Sequence, residues 1–556
     1  MTRGGRPLGQ SQAGQHRWDG TYPLHPFLFA FASVLALMAT SLNQTSLDDV
    51  AAALAGAFLF ALAVYLAIAA IRRRFDARTA ILASTWVVGG LFYAGLFRHL
   101  NSALDGGYSM VATLPFALAA MLIVTALIAL VPFQLKIPHT VLNTIAAVML
   151  LTPAWQAISY EWWNADARNV YSADAAADAL AEPGAVEAIA AASEGQPPDI
   201  YHFIFDRYAS EGILDRYYRV DNRAIGRFLE DNGFYLARNS HSNYLKTGHS
   251  LASTFYMDYL GLLDDERVAP NNWHPIHKML DDHRVSRFLK ARGYDFLQFG
   301  SWWVGTYDNP VADENHPHGF SEFNMLYLRR TVLRPLFHVL PDTPLTMRLD
   351  WDNAQCQRVA PQIEAIKAIG NRADPTYVFA HILIPHGPYN FAADGGCLTD
   401  EEARERGSEQ GYIDHIAYAN RIIEDIVTAL LDERREPPVI LIQADEGPFP
   451  ERDGRVPWQE ASAQELQIKT GILNAFYFPG EDYGALTSDV TPVNTYRIVF
   501  NEIFGARFPL LPDRIFAFPN TGALYDFHDV TEIVRPEVDD AIASPGSVAQ
   551  PRPSLP

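Results

Sequence analysis

The stretch DIYHFIFD, residues 199–206, decides the fold of the larger part of this chain. It is a short run of apolar, β-branched and aromatic residues, which is typical of a strand buried on both faces. Further runs of the same kind occupy residues 294–300, 376–383, 439–444 and 472–478. Because helix-like segments separate them, the pattern predicts an α/β domain with a mostly parallel sheet covered by helices on both faces.

The intervening helices are expected at residues 213–232, 285–292, 353–369, 413–435 and 494–504. In open α/β sheets, ligands bind at the carboxyl ends of the strands. Polar residues follow three of the apolar runs at that edge, namely Asp206, His386 and the pair Asp445 and Glu446. One such residue alone is more often a helix cap or a loop residue, but several together indicate a site.

Upstream of this domain, five apolar runs are candidates for membrane-spanning helices, at residues 26–42, 51–71, 80–97, 110–133 and 140–158. Each is near the ~20 residues that a helix needs to cross the hydrocarbon core of a bilayer. Buried core helices are the alternative, but five in succession rarely fit inside a soluble core. A cleaved signal peptide does not fit either, because further apolar runs follow the first. The sequence therefore predicts a membrane domain of five transmembrane helices.

Positive charge falls on every second side of these runs, at Arg3, Arg6, Arg17, Arg72, Arg73, Arg74, Arg78 and Lys136. Such a bias marks the cytoplasmic side of a membrane protein. An odd number of spans then delivers the rest of the chain to the opposite side. We therefore expect a multi-pass protein of the inner (plasma) membrane with a cytoplasmic N-terminus and a periplasmic or extracellular C-terminal domain.

Four regions are predicted: a transmembrane domain at 1–160, a linker at 161–198, the α/β extracytoplasmic domain at 199–533 and a disordered tail at 534–556. The two cysteines, Cys356 and Cys397, lie in the outer domain, where a disulfide and a pair of buried free thiols both remain open. The chain has 64 Asp and Glu against 43 Lys and Arg, so no nucleic-acid partner is expected.

The segment TGHSLAS, residues 247–253, opens a helix-like run. Thr247 is either a helix cap or a nucleophile. A hydroxyl at a helix N-terminus beside a cation has its alkoxide stabilised and can attack phosphorus or sulfur. Carboxylates converging from separate strands would hold a divalent cation there, and that cation would lower the pKa of the hydroxyl.

The motifs DIYHFIFD, TGHS, HILIPHGPY and VILIQADEG, in that order, resemble those of the alkaline phosphatase and sulfatase superfamily. They are most similar to its membrane-bound branch of phosphoethanolamine transferases and lipoteichoic acid synthases, which have five N-terminal spans and an outer sulfatase-like catalytic domain. The resemblance covers residues 197–505, together with the predicted spans. The sulfatase motif Cys/Ser-x-Pro-x-Arg is not visible at the Thr247 segment.

The resemblance implies a role for each matching residue. Asp206 takes the place of the first metal carboxylate, and Asp445 that of the metal-binding Asp in the Asp-His-Gly motif. Thr247 takes the place of the nucleophile, which also contacts the metal. His386, in PHGPY, resembles a catalytic histidine near the transferred phosphoryl group.

Glu446 departs from the family pattern, which usually has a histidine at this metal-binding position. A carboxylate in place of an imidazole adds negative charge and hardens the site. One divalent ion is therefore expected, with Mg²⁺, Mn²⁺ or Ca²⁺ favoured over Zn²⁺, although Zn²⁺ is not excluded. The departure also leaves open an altered or lost activity.

Further candidates for substrate binding each have a structural alternative, such as a salt bridge, a place along a helix or a place in the core. They are Arg207, His249, Ser250, His381, Trp302 and Trp303.

The resemblance implies a metal-dependent transferase that moves a phospholipid headgroup, of phosphoethanolamine or phosphoglycerol type, to an envelope glycan or lipid. The transfer would pass through a phospho-threonine intermediate. A sulfatase- or phosphatase-type hydrolase and a catalytically degenerate binding member of the family remain the alternatives.

Overall fold

The computed structural model describes residues 22–103, 106–130, 135–165, 197–337, 339–340, 354–432, 436–480 and 483–535. Residues 166–196 of the predicted linker, residues 536–556 of the predicted tail, and Arg3, Arg6 and Arg17 lie outside this part of the chain. The chain divides into two compact units. The first consists of Met1–Thr40, Val50–Ala157 and Tyr327–Val339, and the second of Ser41–Asp49, Ile158–Leu326 and Leu340–Pro556.

The first unit is built from apolar helices. They are α1 (His25–Met38), α2 (Leu47–Arg72), α3 (Ala77–Leu91), α4 (Tyr93–Ala103), α5 (Met110–Leu130) and α6 (Lys136–Trp163). Among the described residues, α2, α5 and α6 are long and apolar enough to span a membrane. The number of candidate spans rises to four if the bent pair α3–α4 is counted as one span. Helix α1 is apolar but has only 14 residues. The helical region with candidate spans is thus confirmed, and the number of five stays a prediction.

The bend between α3 and α4, 72° in all, has an identifiable cause. In a continuous helix the Ala94 N–H would donate to the Gly90 carbonyl four residues earlier. Instead, Gly90 accepts from the Val332 N–H at 2.8 Å, and the Ala94 N–H donates to the Arg330 carbonyl at 3.0 Å. The segment 330–332 therefore enters the hydrogen-bond ladder and satisfies both backbone groups that the break releases.

The second unit holds a seven-stranded sheet with the order β2-β7-β6-β1-β5-β3-β4. Its strands are β1 (Ile200–Phe205), β2 (Tyr235–Leu236), β3 (Asp295–Phe299), β4 (Glu314–Asn315), β5 (Thr376–Ile382), β6 (Val439–Gln443) and β7 (Asn474–Tyr477). Strands β1, β3, β4, β5 and β6 pair in parallel, whereas β7 and β2 are antiparallel to their neighbours. The mostly parallel sheet is confirmed. A separate pair, β8 (Phe516–Ala517) and β9 (His528–Asp529), is antiparallel.

Helices cover both faces of this sheet. Along β1, Ile200 and Ile204 join one buried cluster, whereas Tyr201, Phe203 and Phe205 join the other. The helices are α7 (Glu211–Tyr218), α8 (Arg223–Asp231), α9 (Thr247–Tyr256), α10 (His274–Asp281), α11 (Arg284–Ala291), α12 (Val304–Tyr307), α13 (Glu322–Arg329), α15 (Ala354–Lys367), α16 (Asp400–Asp432), α17 (Ala463–Thr470), α18 (Thr495–Phe504) and α19 (Thr531–Val534). Helix α14 (Leu333–Phe337) belongs to the first unit.

Three details differ from the sequence predictions. The helix expected at 213–232 is two helices, because Arg219 takes a left-handed conformation with φ 58° and ends α7. The helix expected at 413–435 begins earlier, at Asp400. The short strands β2 and β4 were not predicted. The structure also joins Cys356 to Cys397 in a disulfide, which decides between the two alternatives for these cysteines.

Candidate active site

Three buried side chains converge at the carboxyl edge of the central strands. Asp206 follows β1, Asp445 follows β6 by two residues, and His381 lies at the end of β5. Ile204 is in register with His381 on one side and with Gln443 on the other, so the three strands end at the same level. One ligand atom from each of Asp206, His381 and Asp445 lies within 4.8 Å of the others.

This group fits a divalent cation. Within the described part of the chain, Asp206 Oδ1 and Asp445 Oδ2 are buried and make no hydrogen bond. His381 Nε2 is also buried and lies 3.3 Å from Asp206 Oδ2. Burying polar atoms without partners is costly, and two carboxylates with one imidazole are a common donor set for divalent ions. Thr306 Oγ1 bonds His381 Nδ1 at 2.7 Å and so orients the ring with Nε2 toward the group.

The two carboxylates of the group have opposite pKa shifts. Burial alone would raise the pKa of Asp206, but His386 and His381, in their protonated forms, and the guanidinium of Arg207 hold it below its ordinary value. Burial, with the negative charges of Asp206 and Glu446, raises the pKa of Asp445. Two buried carboxylates that repel each other in this way gain from a cation between them.

Thr247 is the first residue of α9, and its side chain lies close enough to Asp445 to act against the rise in the pKa of that carboxyl. The N-cap of α9 is Lys246, so the alternative that Thr247 caps the helix is wrong. Gly248 lets the helix lie close to the neighbouring wall, since a Cβ there would stand 3.0 Å from Ile276 and 3.1 Å from Trp273. The hydroxyl thus sits at a helix N-terminus, beside the carboxylate group.

A cleft of about 650 Å³, open to solvent, lies over this group. It is lined by six of the predicted residues besides Asp206 and Glu446, namely Arg207, Thr247, Trp302, Trp303, His381 and His386. Trp273 and Lys246, which were not predicted, line it as well. Burial lowers the pKa of His386, and its Nδ1–H donates to the Gly387 carbonyl. The neutral ring therefore offers Nε2 as an acceptor.

Glu446 does not join the converging group, although it was predicted as a metal ligand. Its carboxylate lies 2.8 Å from Lys469 Nζ and 3.1 Å from Arg207 Nε. Burial alone would raise the pKa of Glu446, but these two cations hold it below its ordinary value. The expected preference for Mg²⁺, Mn²⁺ or Ca²⁺ over Zn²⁺ depended on Glu446 as a ligand. The converging group contains the imidazole of His381 instead, and an imidazole ligand suits Zn²⁺ as well as the other ions.

His249 and Ser250 lie in the core, not in the cleft, which corrects their prediction as substrate-binding residues. The His249 ring stacks on Phe518 at 4.8 Å between centroids, and its Nε2 lies 3.1 Å from the Leu524 carbonyl. The Ser250 hydroxyl donates to the Tyr244 carbonyl at 3.1 Å. Both side chains belong to the inward face of α9.

Arg207 has a left-handed backbone conformation, with φ 67°. Its N–H donates to Asp445 Oδ1 at 3.1 Å, which links the residue after β1 to the end of β6. Such strain in a residue other than glycine costs roughly 1–3 kcal/mol and concentrates at functional sites. Here it directs the guanidinium to Glu446 at the edge of the cleft.

Part of the second unit is similar to a known protein family. Residues 214–483 match the family model described as Sulfatase. The match lies within the second unit and agrees with the sulfatase resemblance of the sequence motifs. No curated protein matches the chain.

Several solved structures are similar to the chain at low identity. The zinc complex of the C-terminal periplasmic domain of EptC from Escherichia coli is 12% identical, with 62% of this chain and 95% of that chain covered and a TM-score of 0.41. The soluble domain of lipooligosaccharide phosphoethanolamine transferase A from Neisseria meningitidis is 13% identical, with 58% of this chain and 98% of that chain covered and a TM-score of 0.35. The integral membrane form of that transferase is 14% identical, with 88% of this chain and 99% of that chain covered and a TM-score of 0.34.

Proposed function

We propose that this protein is a membrane-anchored, metal-dependent transferase that moves a phospholipid headgroup, of phosphoethanolamine or phosphoglycerol type, to an envelope glycan or lipid. The observation that carries the proposal is the convergence of Asp206, His381 and Asp445 at the cleft that Thr247 lines. A divalent cation held by these three residues would lower the pKa of the hydroxyl and neutralise charge on the transferred phosphoryl group.

The proposed topology has five spans, with the N-terminus in the cytoplasm and the catalytic domain outside. Helices α1, α2, α5, α6 and the bent pair α3–α4 correspond in order to the five apolar runs. The domain limits proposed from the sequence, 1–160, 161–198, 199–533 and 534–556, follow the same division. With this arrangement, a donor phospholipid and a lipid-linked acceptor lie in the membrane that anchors the enzyme.

In the first displacement, the Thr247 oxygen attacks the phosphorus of the phospholipid. The bond from phosphorus to the diacylglycerol oxygen breaks, and the proton that the Thr247 hydroxyl loses passes to diacylglycerol as it leaves. Asp445 lies close to the Thr247 side chain, where its carboxylate can orient the attacking oxygen. Arg207, at the edge of the cleft, is placed to contact the anionic oxygens of the phosphoryl group.

In the second displacement, an acceptor hydroxyl attacks the phospho-threonine and releases Thr247. His386 lines the cleft and offers an unprotonated Nε2, which suits a base that takes the proton of the acceptor. The aromatic walls formed by Trp302 and Trp303 suit a sugar ring or an acyl chain. Two successive displacements predict ping-pong kinetics.

A hydrolase would share the first displacement and use water as the acceptor, and the open cleft is consistent with that reaction. The third alternative, a degenerate binding member, rested mainly on Glu446. Its support is weaker now, because Lys469 and Arg207 balance the charge of Glu446 and the converging group lies beside it.

The test compares Thr247→Ala with Thr247→Ser in the full-length protein in vesicles that contain labelled phosphatidylethanolamine or phosphatidylglycerol. We expect Thr247→Ala to lower turnover by ~10³-fold or more, and Thr247→Ser to retain part of it and to carry a phosphoryl group on residue 247 in mass spectra. Metal-dependent turnover that survives Thr247→Ala would rule out the covalent step. Label released to water instead of an added acceptor would favour the hydrolase.

A further inference from the structure

Three cations surround the ring of Phe449, which follows Glu446 by three residues. Arg207 Cζ lies 4.5 Å, Lys246 Nζ 4.4 Å and Lys469 Nζ 3.7 Å from the ring centroid. The electron-rich face of an aromatic ring attracts cations, more strongly where water is excluded. Three like charges around one ring nevertheless repel each other, so this cluster needs a negative partner.

Glu446 is that partner within the cluster. Its Oε1 contacts both Lys469 Nζ and Arg207 Nε, at 2.8 and 3.1 Å. Lys469 is fully buried on α17, and its ammonium also donates to the Gly447 carbonyl at 3.2 Å. All three contacts of Lys469 thus go to the turn 446–449, which ties this turn to α17.

Arg207 and Lys246 differ from Lys469 because both line the cleft. When all six side chains are ionised, the three carboxylates (Asp206, Asp445 and Glu446) balance the three cations (Arg207, Lys246 and Lys469). A bound divalent ion would leave an excess of two positive charges, which matches an oxyanion such as a phosphoryl group. The two cations at the cleft are then the natural contacts for its oxygens.

We propose that Glu446 is a positioning residue and not a metal ligand: together with Lys469 and Phe449, it fixes Arg207 and Lys246 as a receptor for an oxyanion. The inference rests on the proposed function only for the identity of the substrate, since an oxyanion binds this receptor whether or not Thr247 reacts. Glu446, which departs from the family motif, thereby gains a role that its two cationic partners explain.

The test measures two affinities in the full-length protein by calorimetry, that of Mn²⁺ and that of inorganic phosphate for the Mn²⁺-loaded protein. We expect Glu446→Gln to keep the Mn²⁺ affinity within about threefold and to weaken phosphate binding by about tenfold or more, because it releases Arg207. Phe449→Leu should weaken phosphate binding by roughly threefold and leave Mn²⁺ binding unchanged. The control Asp453→Asn breaks an exposed pair with Arg455, 2.9 Å apart in the same loop, and should change neither affinity.

A fall of about tenfold or more in Mn²⁺ affinity for Glu446→Gln would make Glu446 a ligand and overturn the proposal. Phosphate binding that is absent in the unmodified protein, or unchanged in Glu446→Gln, would also overturn it. If Glu446→Gln fails to fold because Lys469 is left unpaired, the double change Glu446→Gln with Lys469→Met removes both charges and should show the same loss of phosphate binding. Metal-dependent turnover that survives Thr247→Ala would defeat the transfer chemistry alone, whereas unchanged phosphate binding in Glu446→Gln would defeat the receptor alone, so the two failures are distinguishable.

Discussion

At the scale of single residues, the site depends on His381 as much as on the two aspartates. Its Nε2 lies 3.3 Å from Asp206 Oδ2, and its Nδ1 is fixed by Thr306, whose hydroxyl also bonds Ser301 at 2.9 Å. A ligand held in one orientation by a partner on its other nitrogen binds a metal more strongly than a free ring does. Variants of His381 and Thr306 can therefore distinguish the loss of a metal ligand from the loss of its orientation.

We predict that His381→Ala weakens binding of Zn²⁺ or Mn²⁺ by more than about 100-fold, since it removes one of three protein ligands. Thr306→Val keeps the ligand and loses only the bond to Nδ1, so its effect should be smaller, about tenfold. Competition with a chelator measures both affinities in the full-length protein. Equal affinities for His381→Ala and the unmodified protein would show that the ion binds elsewhere.

The sequence could predict those site residues that a local signal marks. Asp206 and Asp445 come directly after apolar runs, and Thr247 opens a helix-like run. His381 was a candidate for substrate binding with a place in the core as the alternative, because alternation along a strand does not tell a site from the core. Lys469 had no local signal, since only tertiary folding brings α17 to Glu446. The ionic partners of Glu446 were therefore beyond sequence analysis.

At the scale of elements, the C-terminal end of α10 concentrates negative charge. Asp281 ends this helix, where the helix dipole already disfavours an acid. Burial raises the pKa of Asp281 to about 7, and the charges of Asp308, Asp49 and Asp282 act in the same direction. The folded protein thus holds a proton on Asp281 that the unfolded chain releases at lower pH.

This shift has a definite sign for stability. Between pH ~4 and pH ~7 the folded state binds more protons than the unfolded state, so the free energy of unfolding falls as pH rises through this window. We predict that Asp281→Asn raises the stability at pH 8 by about 2 kcal/mol relative to the unmodified protein, and has little effect at pH 4. Thermal unfolding at several pH values measures this difference in stability. Glu266→Gln, which removes one negative charge at an exposed position, is the control. A constant difference between Asp281→Asn and the unmodified protein at all pH values would contradict the assignment.

The bend between α3 and α4 gives a second prediction at this scale. Val332→Pro removes the N–H that donates to the Gly90 carbonyl, whereas Val332→Ala keeps it. A carbonyl left without its donor in an apolar unit costs about 1–3 kcal/mol, so Val332→Pro should lower the unfolding temperature in detergent well below that of Val332→Ala. Equal unfolding temperatures for these two variants would show that the inserted segment does not stabilise the bend.

At the scale of the whole molecule, the two units do not follow the order of the chain. Ser41–Asp49, which lies between the first two apolar runs, groups with the second unit, and Tyr327–Val339 groups with the first. The sheet and the candidate spans could be predicted because the period and length of apolar runs are local properties. The grouping of Ser41–Asp49 with the second unit and of Tyr327–Val339 with the first could not be predicted, because backbone hydrogen bonds to distant residues leave no pattern in the sequence.

Within the second unit, the loop 41–49 supports the wall of the cleft. The Asn43 carbonyl accepts from the Trp273 N–H at 2.7 Å, and the Asn43 side chain donates to the Asn271 carbonyl at 2.9 Å. His274 Nε2 donates to the Leu42 carbonyl at 2.8 Å. Since Trp273 lines the cleft, this loop positions a residue of the site from a distant part of the chain.

We predict that the double change Asn43→Ala with His274→Phe, made in the full-length protein, releases the loop and exposes the Trp273 amide. Its hydrogen exchange should accelerate by about tenfold or more, because two of the three hydrogen bonds described between the loop and residues 271–274 are lost. The KM for the lipid substrate should rise more than kcat falls, since the wall of the cleft loosens while Thr247 and its carboxylates keep their places. Gln44→Ala, an exposed change in the same loop, is the control and should alter neither quantity. Unchanged exchange at Trp273 in the double variant would show that α10 holds the wall without help from the loop.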